Sequence, residues 1–267
     1  MTAQSRSEIA GLLASHGLAP SRRLGQHFLA DANITRKIVQ LAGIGPGEQV
    51  VEVGAGTGTL TRALAATGAH VVAYEVDAGL LPLLEEVTRG LDVELRFLDA
   101  TTADLSADLA AGTWVMVANL PFNVGTPLLL DALRRVPQIE RFVVMVQQEV
   151  AQRLVAEPGS RQYGLPSVVA GIHARVKLAL RVPPHVFYPA PKVESAVVIL
   201  DRLPAAEGSE RAIEIATAGF NQRRKMLRGS LAGVLDDPVS ALEEAALDPT
   251  LRAEDLSPSD YLRLARS

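Results

Sequence analysis

Short runs of β-branched and other apolar residues alternate along this chain with stretches whose apolar positions recur every three or four residues. The runs fall at 49–53, 70–75, 93–98, 114–118 and 142–147. Between them, 60–66, 78–88, 105–110 and 127–135 carry the helical period. Strands alternating with helices predict βαβ units and a parallel sheet. Two more strands, 168–180 and 193–200, follow with only the loop 183–191 between them. They predict an antiparallel hairpin at one edge of a mixed sheet. The first 45 residues read as helical, 32–42 most clearly. Residues 203–209 read as a linker. Beyond it the pattern gives only short helices, at 210–220, 225–234, 239–246 and 258–265.

The expected fold is therefore α/β: a doubly wound, mostly parallel sheet with an edge hairpin, plus a small all-helical C-terminal domain. The expected domains are 1–203, with a helical extension at 1–47, and 204–267.

Composition narrows the chemistry. The 267 residues are 48% apolar and include no cysteine. That removes disulfides, thiolate metal sites and a cysteine nucleophile. The five histidines are scattered without ligand spacing, so no metal is expected. No apolar run reaches the ~18 residues of a membrane helix, and the N-terminus lacks a signal-peptide apolar region. The expectation is a soluble, cytoplasmic protein that avoids membranes and acts as a monomer.

The net charge of −4 argues against a polyanion partner, but its distribution does not. Segments 1–47 and 134–192 carry +3 and +6, whereas 48–133 and 193–267 carry −9 and −4. Two basic segments flank an acidic one, as expected for a polyanion-facing surface on an acidic body. Solvated basic helices would give the same counts.

The candidate chemistry lies at strand ends. Val50-Val51-Glu52-Val53-Gly54-Ala55-Gly56-Thr57-Gly58 runs a strand into a glycine turn and a helix, allowing close approach of backbone to ligand. The next strand ends in Glu75, placed to bond ribose hydroxyls. A nicotinamide dinucleotide would fit as well as any other nucleotide at this point. The following strands end in Asp99 and Asn119, so four consecutive strand ends address one crevice. Any one of these acids could be a simple helix cap; the set of four is poorly explained that way.

Asn119-Leu120-Pro121-Phe122 adds a reaction. Proline holds Leu120 extended, placing its carbonyl beside the Asn119 side-chain carbonyl. Two acceptors at this spacing take both hydrogens of an exocyclic amine, and Phe122 offers a flat face to an extruded base. Amine attack on a methyl sulfonium needs alignment more than a strong base.

These motifs resemble the S-adenosylmethionine-dependent adenine dimethyltransferases of ribosomal RNA, and the likeness extends over nearly the whole chain. Gly25-Gln26-His27-Phe28-Leu29 is similar to the family's N-terminal box. The segments 148–154 and 158–164 are similar to its central boxes, 182–195 to its proline loop, and 220–228 to the basic helix opening its C-terminal domain. The small-subunit branch (the KsgA type) is the nearest group.

The resemblance implies a class I methyltransferase fold and S-adenosylmethionine as cofactor. It implies dimethylation of two adjacent adenosines near the 3′ end of 16S rRNA, within an immature small subunit and with a role in its biogenesis. His27, Leu29, Gly54, Glu75, Asp99 and Asn119 would contact the cofactor. Asn119, Leu120, Pro121 and Phe122 would hold the target base. His27 stands where the family commonly has asparagine, and Phe122 where this branch often has tyrosine.

Arg223, Arg224 and Lys225 are candidates for phosphate contact at the start of a helix, and Tyr163 for base stacking. The alternatives are a 23S rRNA enzyme conferring macrolide resistance and a mainly non-catalytic assembly factor. A nicotinamide-dependent oxidoreductase is a further alternative, which the Asn-Leu-Pro-Phe motif opposes.

Overall fold

The computed structural model describes residues 4–266. Among these, nine strands form: β1 (Phe28–Leu29), β2 (Gln49–Val53), β3 (His70–Tyr74), β4 (Val93–Arg96), β5 (Trp114–Asn119), β6 (Ile139–Gln147), β7 (Ala174–Val182), β8 (Phe187–Tyr188) and β9 (Ser195–Arg202). The α-helices are α1 (Arg6–Ser15), α2 (Ala32–Ala42), α3 (Thr59–Ala65), α4 (Leu81–Thr88), α5 (Leu105–Asp108), α6 (Gly125–Arg135), α7 (Gln148–Leu154), α8 (Leu165–His173), α9 (Ser209–Asn221), α10 (Leu227–Ser230), α11 (Pro238–Glu244) and α12 (Pro258–Leu264).

Seven strands make one sheet in the order β4-β3-β2-β5-β6-β9-β7. The ladders β2–β3, β3–β4, β2–β5 and β5–β6 are parallel, and β9 runs antiparallel to β6. Central strands of such a sheet are covered on both faces and read as near-continuous apolar runs. Val50, Val51, Val71 and Val117 are accordingly buried. The strand order turns outward in both directions from β2 and β5, which is where such folds open a ligand crevice at the strands' C-terminal ends. Outside this sheet, β1 pairs antiparallel with β8, Phe28 facing Tyr188 and Leu29 facing Phe187.

Local signals start and stop the elements. Asp31 caps α2 by accepting from the Asn33 and Ile34 amides at 2.8 and 2.9 Å, and Gly43 ends it in the left-handed region at φ 67°. Asp237 and Ser257 cap α11 and α12 in the same way.

Two expected elements come out differently. The run 168–180 was expected as one strand, but its first part belongs to helix α8 and the strand begins at Ala174. Gly164 and Pro166 set a helix start, and buried Ser167, Val168, Ala170 and Ile172 lie on the apolar face. Tertiary burial overrides the β preference of Val168 and Val169. The expected helix 225–234 shrinks to α10. Gln222 to Lys225 form a turn, closed by the Lys225 amide donating to the Gln222 carbonyl at 2.8 Å.

The chain divides into two compact units. One comprises the chain through Ala151 together with Lys177–Asp201; the other comprises Gln152–Val176 and the chain from Arg202 onward. The cut expected at 203/204 lies close to the last of these boundaries, but 152–176, read from sequence as part of the first domain, groups with the C-terminal helices. Within the second unit, Tyr163 is buried and donates from its hydroxyl to the Leu256 carbonyl at 2.7 Å. The Phe220 ring packs near Tyr163 and Tyr261, with centroids at 6.1 and 6.5 Å. Tyr163 is a core residue here and offers no face for stacking on RNA.

Candidate active site

The glycine turn after β2 is held in place from several directions. The Gly54 and Ala55 amides both donate to the Tyr74 carbonyl, at 2.8 and 3.1 Å. Gly54 and Gly56 sit at φ 83° and 57°. A side chain at Gly56 would meet the Phe28 ring at 2.9 Å, so the turn requires glycine there.

Glu75, only 6% exposed, spends both carboxylate oxygens on backbone. Oε2 accepts from the Gly56 amide at 2.8 Å, and Oε1 from the Asp77 amide at 2.9 Å. Burial pushes its carboxyl above the usual range, against the pull of these bonds. Glu75 is thus a tie between two strand-end loops before it is anything else. From the other side, buried Gln4 donates to the Thr57 carbonyl and accepts from the Thr57 and Thr59 hydroxyls. Gln26 bridges the N-terminal box to the loop after β3, donating to Asp77 Oδ2 at 2.8 Å.

These loops line an open cleft of about 720 Å³. Its walls include His27, Gly54, Glu75, Asp99, Asn119, Leu120, Pro121 and Phe122. The structure therefore brings together every residue expected at the site except Leu29. That side chain is buried in β1 and faces a smaller cavity behind the glycine turn, shared with Glu52, Gly54 and Asn119. Asp99 is exposed, and its Oδ1 accepts from the Thr101 amide and hydroxyl at 2.9 and 2.7 Å. Those bonds hold its carboxyl below the usual range. Asp99 Oδ2 takes no partner among the described residues.

Sequence reading missed Val76 and Leu98. Both are apolar, 49% and 51% exposed, and both line the cleft next to a strand-end acid. Apolar residues beside those acids were the available signal. Gln4 left none, because its partners are more than 50 residues away.

At the end of β5, Asn119 Nδ2 donates to the His27 carbonyl at 3.0 Å. This fixes the amide orientation and leaves Oδ1 without a donor among the described residues. The Leu120 amide donates to the Met145 carbonyl at 3.1 Å, while the Leu120 carbonyl accepts no hydrogen bond among those residues. The Phe122 ring lies against His27, centroids 5.3 Å apart and planes tilted by 32°. The His27 Nδ1 donates to the Pro189 carbonyl at 2.7 Å. Two open acceptors, a flat ring and a carboxylate-lined cleft thus stand together.

The family model described as ribosomal RNA adenine dimethylase matches residues 19–267. The chain belongs to that family. A member from Phenylobacterium zucineum (strain HLK1), named ribosomal RNA small subunit methyltransferase A, is 46% identical over 257 residues, covering 95% of this chain and 90% of that one. The crystal structure of a dimethyladenosine transferase from Plasmodium falciparum superposes with a TM-score of 0.75 at 22% identity, over 89% of this chain and 96% of that one. The 23S rRNA methyltransferase ErmE gives 0.68 at 25% identity, over 90% and 98%.

Membership makes this chain an rRNA adenine methyltransferase with the class I fold, and implies S-adenosylmethionine as methyl donor. The cleft fits that molecule: carboxylates suit ribose hydroxyls and an amine, and exposed Val76 and Leu98 suit a planar base. No helix among the described residues is long and apolar enough to cross a membrane. Arg223, Arg224 and Lys225 do not open a helix as expected but sit in the turn between α9 and α10. Arg223 pairs there with Glu254 at 2.6 Å and donates to the Arg161 carbonyl at 3.3 Å.

Proposed function

We propose that the chain dimethylates the exocyclic amines of two adjacent adenosines near the 3′ end of 16S rRNA, in an immature small subunit in the cytoplasm. The observation that carries this is the Asn119–His27 bond. By committing Nδ2 to a backbone carbonyl, it turns Oδ1 outward as an acceptor beside the open Leu120 carbonyl. The 46% identity to a small-subunit enzyme supports that branch over the large-subunit one.

Bound S-adenosylmethionine supplies an electrophilic methyl group on a sulfonium. Glu75 would hold the ribose and Asp99 Oδ2 the adenine amine, and Val76 and Leu98 would offer apolar faces to the planar base. The Gly54 turn would let backbone approach the donor, and the His27 segment, which lines the same cleft, would cover it. Leu29 contributes through its backbone position in β1.

An adenine amine is a poor nucleophile because its lone pair is delocalised into the ring. Accepting its two hydrogens at Asn119 Oδ1 and the Leu120 carbonyl favours a pyramidal nitrogen with a localised pair. Phe122 stacks on the ring and fixes its plane. The bound donor would supply its methyl carbon to this nitrogen, the sulfur would keep the carbon–sulfur pair, and the amine held by Asn119 and Leu120 would give up one proton to solvent. After the first transfer one hydrogen remains, and one acceptor suffices to align it. Positioning supplies the acceleration, so no histidine or cysteine base is required. Arg224 and Lys225 contact rRNA phosphates, with Arg223 in part.

Methyl transfer from labelled cofactor to unmodified small subunits, with the modified positions mapped, tests the reading. Label at the paired adenosines is expected; label only in the large subunit, or none, overturns it.

A further inference from the structure

A second hollow lies beside the cleft, and its chemistry is opposite. It is lined by Arg22, Gln147, Ala190 and Lys192 among others, and shares Gly25, Gln26, His27 and Phe122 with the cleft. Its open volume is about 1150 Å³. The chain has 30 acidic residues against 26 Lys and Arg, yet no acid lines this hollow, while Arg22 and Lys192 do. Both are exposed, and neither side chain has an ion-pair partner among the described residues. The cleft is the reverse: it is lined by Glu75 and Asp99 and by no Lys or Arg.

The His27–Phe122 ring pair lines both hollows, with the His27 ring anchored on the Pro189 carbonyl. A base stacked on Phe122 therefore has the cationic donor on its carboxylate-lined side. Its own backbone must continue on the other side. Uncompensated cations in a hollow free of acids suit phosphate, and apolar Pro191 and Val193 in the same hollow suit a base face.

We infer that this hollow is a subsite for the ribonucleotide next to the reacting adenosine, with Arg22 and Lys192 on its phosphates. The inference rests on the rRNA reading above. In a pair of adjacent targets, the hollow would hold one adenosine while the other reacts, so both could be modified by a shift of one nucleotide.

The test uses the full chain, unmodified small subunits and four variants. Arg22→Ala/Lys192→Ala should weaken subunit binding about tenfold near physiological salt. It should reduce the salt slope by about 1.4, two single-strand phosphate contacts at roughly 0.7 each. Calorimetric affinity for S-adenosylmethionine should not change, and Arg22→Lys/Lys192→Arg should restore subunit binding. Arg36→Ala/Lys37→Ala removes the same charge from the exposed face of α2 and should leave the slope unchanged. Ala190→Trp fills the hollow and should abolish transfer while cofactor affinity stays normal.

An unchanged slope in the first variant overturns the subsite, as does an equal loss in the α2 control or full transfer by Ala190→Trp. Wild-type enzyme that binds cofactor yet modifies no small subunit would overturn the rRNA reading instead.

Discussion

Gln4 and Thr57, 53 positions apart, are hydrogen-bonded twice: Gln4 Nε2 donates to the Thr57 carbonyl at 3.0 Å, and the Thr57 hydroxyl donates back to Gln4 Oε1 at 2.8 Å. The Thr59 hydroxyl adds a third bond at 2.7 Å. Gln4 lies outside the span of the family match, which begins at residue 19. Gln4→Ala strands buried donors and acceptors, each costing about 1–3 kcal/mol. Because they belong to the glycine turn, cofactor affinity should fall more steeply than the melting temperature indicates. Calorimetry and thermal melting on one preparation check this; a drop in Tm with normal affinity would assign Gln4 to stability alone.

Glu75 and Asp99 should not be equivalent. Glu75 holds the Gly56 and Asp77 amides, whereas Asp99 bonds only within its own loop. Glu75→Ala therefore loses a ligand contact and two backbone ties, and Asp99→Ala one contact. Charge-assisted bonds are worth about 1.5–3 kcal/mol, so the Glu75 variant should bind S-adenosylmethionine the more weakly by at least one such bond. Titration of both variants decides it, and equal affinities would refute the tie.

Glu52 is 1% exposed, with Oε2 unpaired behind the glycine turn. Burial pushes its carboxyl up from the ordinary 4.5 to about 8. A folded-state value above the unfolded one means that the fold favours the protonated form. Its contribution is therefore full below pH 4.5 and is lost as the pH rises through 8. Glu52→Gln should remove this fall, on the order of a few kcal/mol, and be the more stable protein at pH 8. Denaturant melts of both proteins at pH 5 and pH 8 measure it; parallel pH profiles would contradict it.

Phe122 is half-buried against His27 and lines the cleft. Stacking of a base on such a ring is worth about 1–3 kcal/mol. Phe122→Ala should cut the single-turnover rate roughly ten- to a hundredfold by that energy, with cofactor affinity near normal. Phe122→Tyr should keep most of the rate. Loss of melting temperature with full activity per folded molecule would make Phe122 a packing residue only.

Replacing Arg223, Arg224 and Lys225 by alanine should lower the salt slope of rRNA binding by about two phosphate contacts and not three. The Arg223 guanidinium is already engaged by Glu254. The single Arg223→Ala variant should therefore shift the slope least, and a shift equal to that of Arg224→Ala would show that the Glu254 pair opens on RNA.

What the sequence made legible follows from where burial and backbone direction act. Strands β2, β3 and β5 are buried on both faces, so their apolar runs are uninterrupted and readable. Their ends, with that of β4 beside β3, must then face one crevice, which located Gly54, Glu75, Asp99 and Asn119. Val168 and Val169 misled because β-branched residues also fill a buried helix face. Arg223 to Lys225 were placed in a helix because their charges carry no backbone signal, and the turn depends on the Lys225–Gln222 bond. Leu29 was assigned to the cleft by likeness, whereas its pairing with Phe187 turns it into the cavity behind. Gln4, and the division of labour between the two hollows, depend on contacts between distant segments, which no local pattern encodes.

The pairing of β1 with β8 also sets an order of events at birth. A nascent chain that has reached residue 150 already holds the four strands bearing Gly54, Glu75, Asp99 and Asn119. Phe28 and Leu29 still lack Tyr188 and Phe187, and His27 lacks the Pro189 carbonyl. Closing so long a loop costs little more entropy than closing a short one, but its far end must first leave the exit tunnel. The β1–β8 pairing beside the crevice is thus completed only after Pro189 has emerged, and a product cut short before then carries the crevice without that pairing.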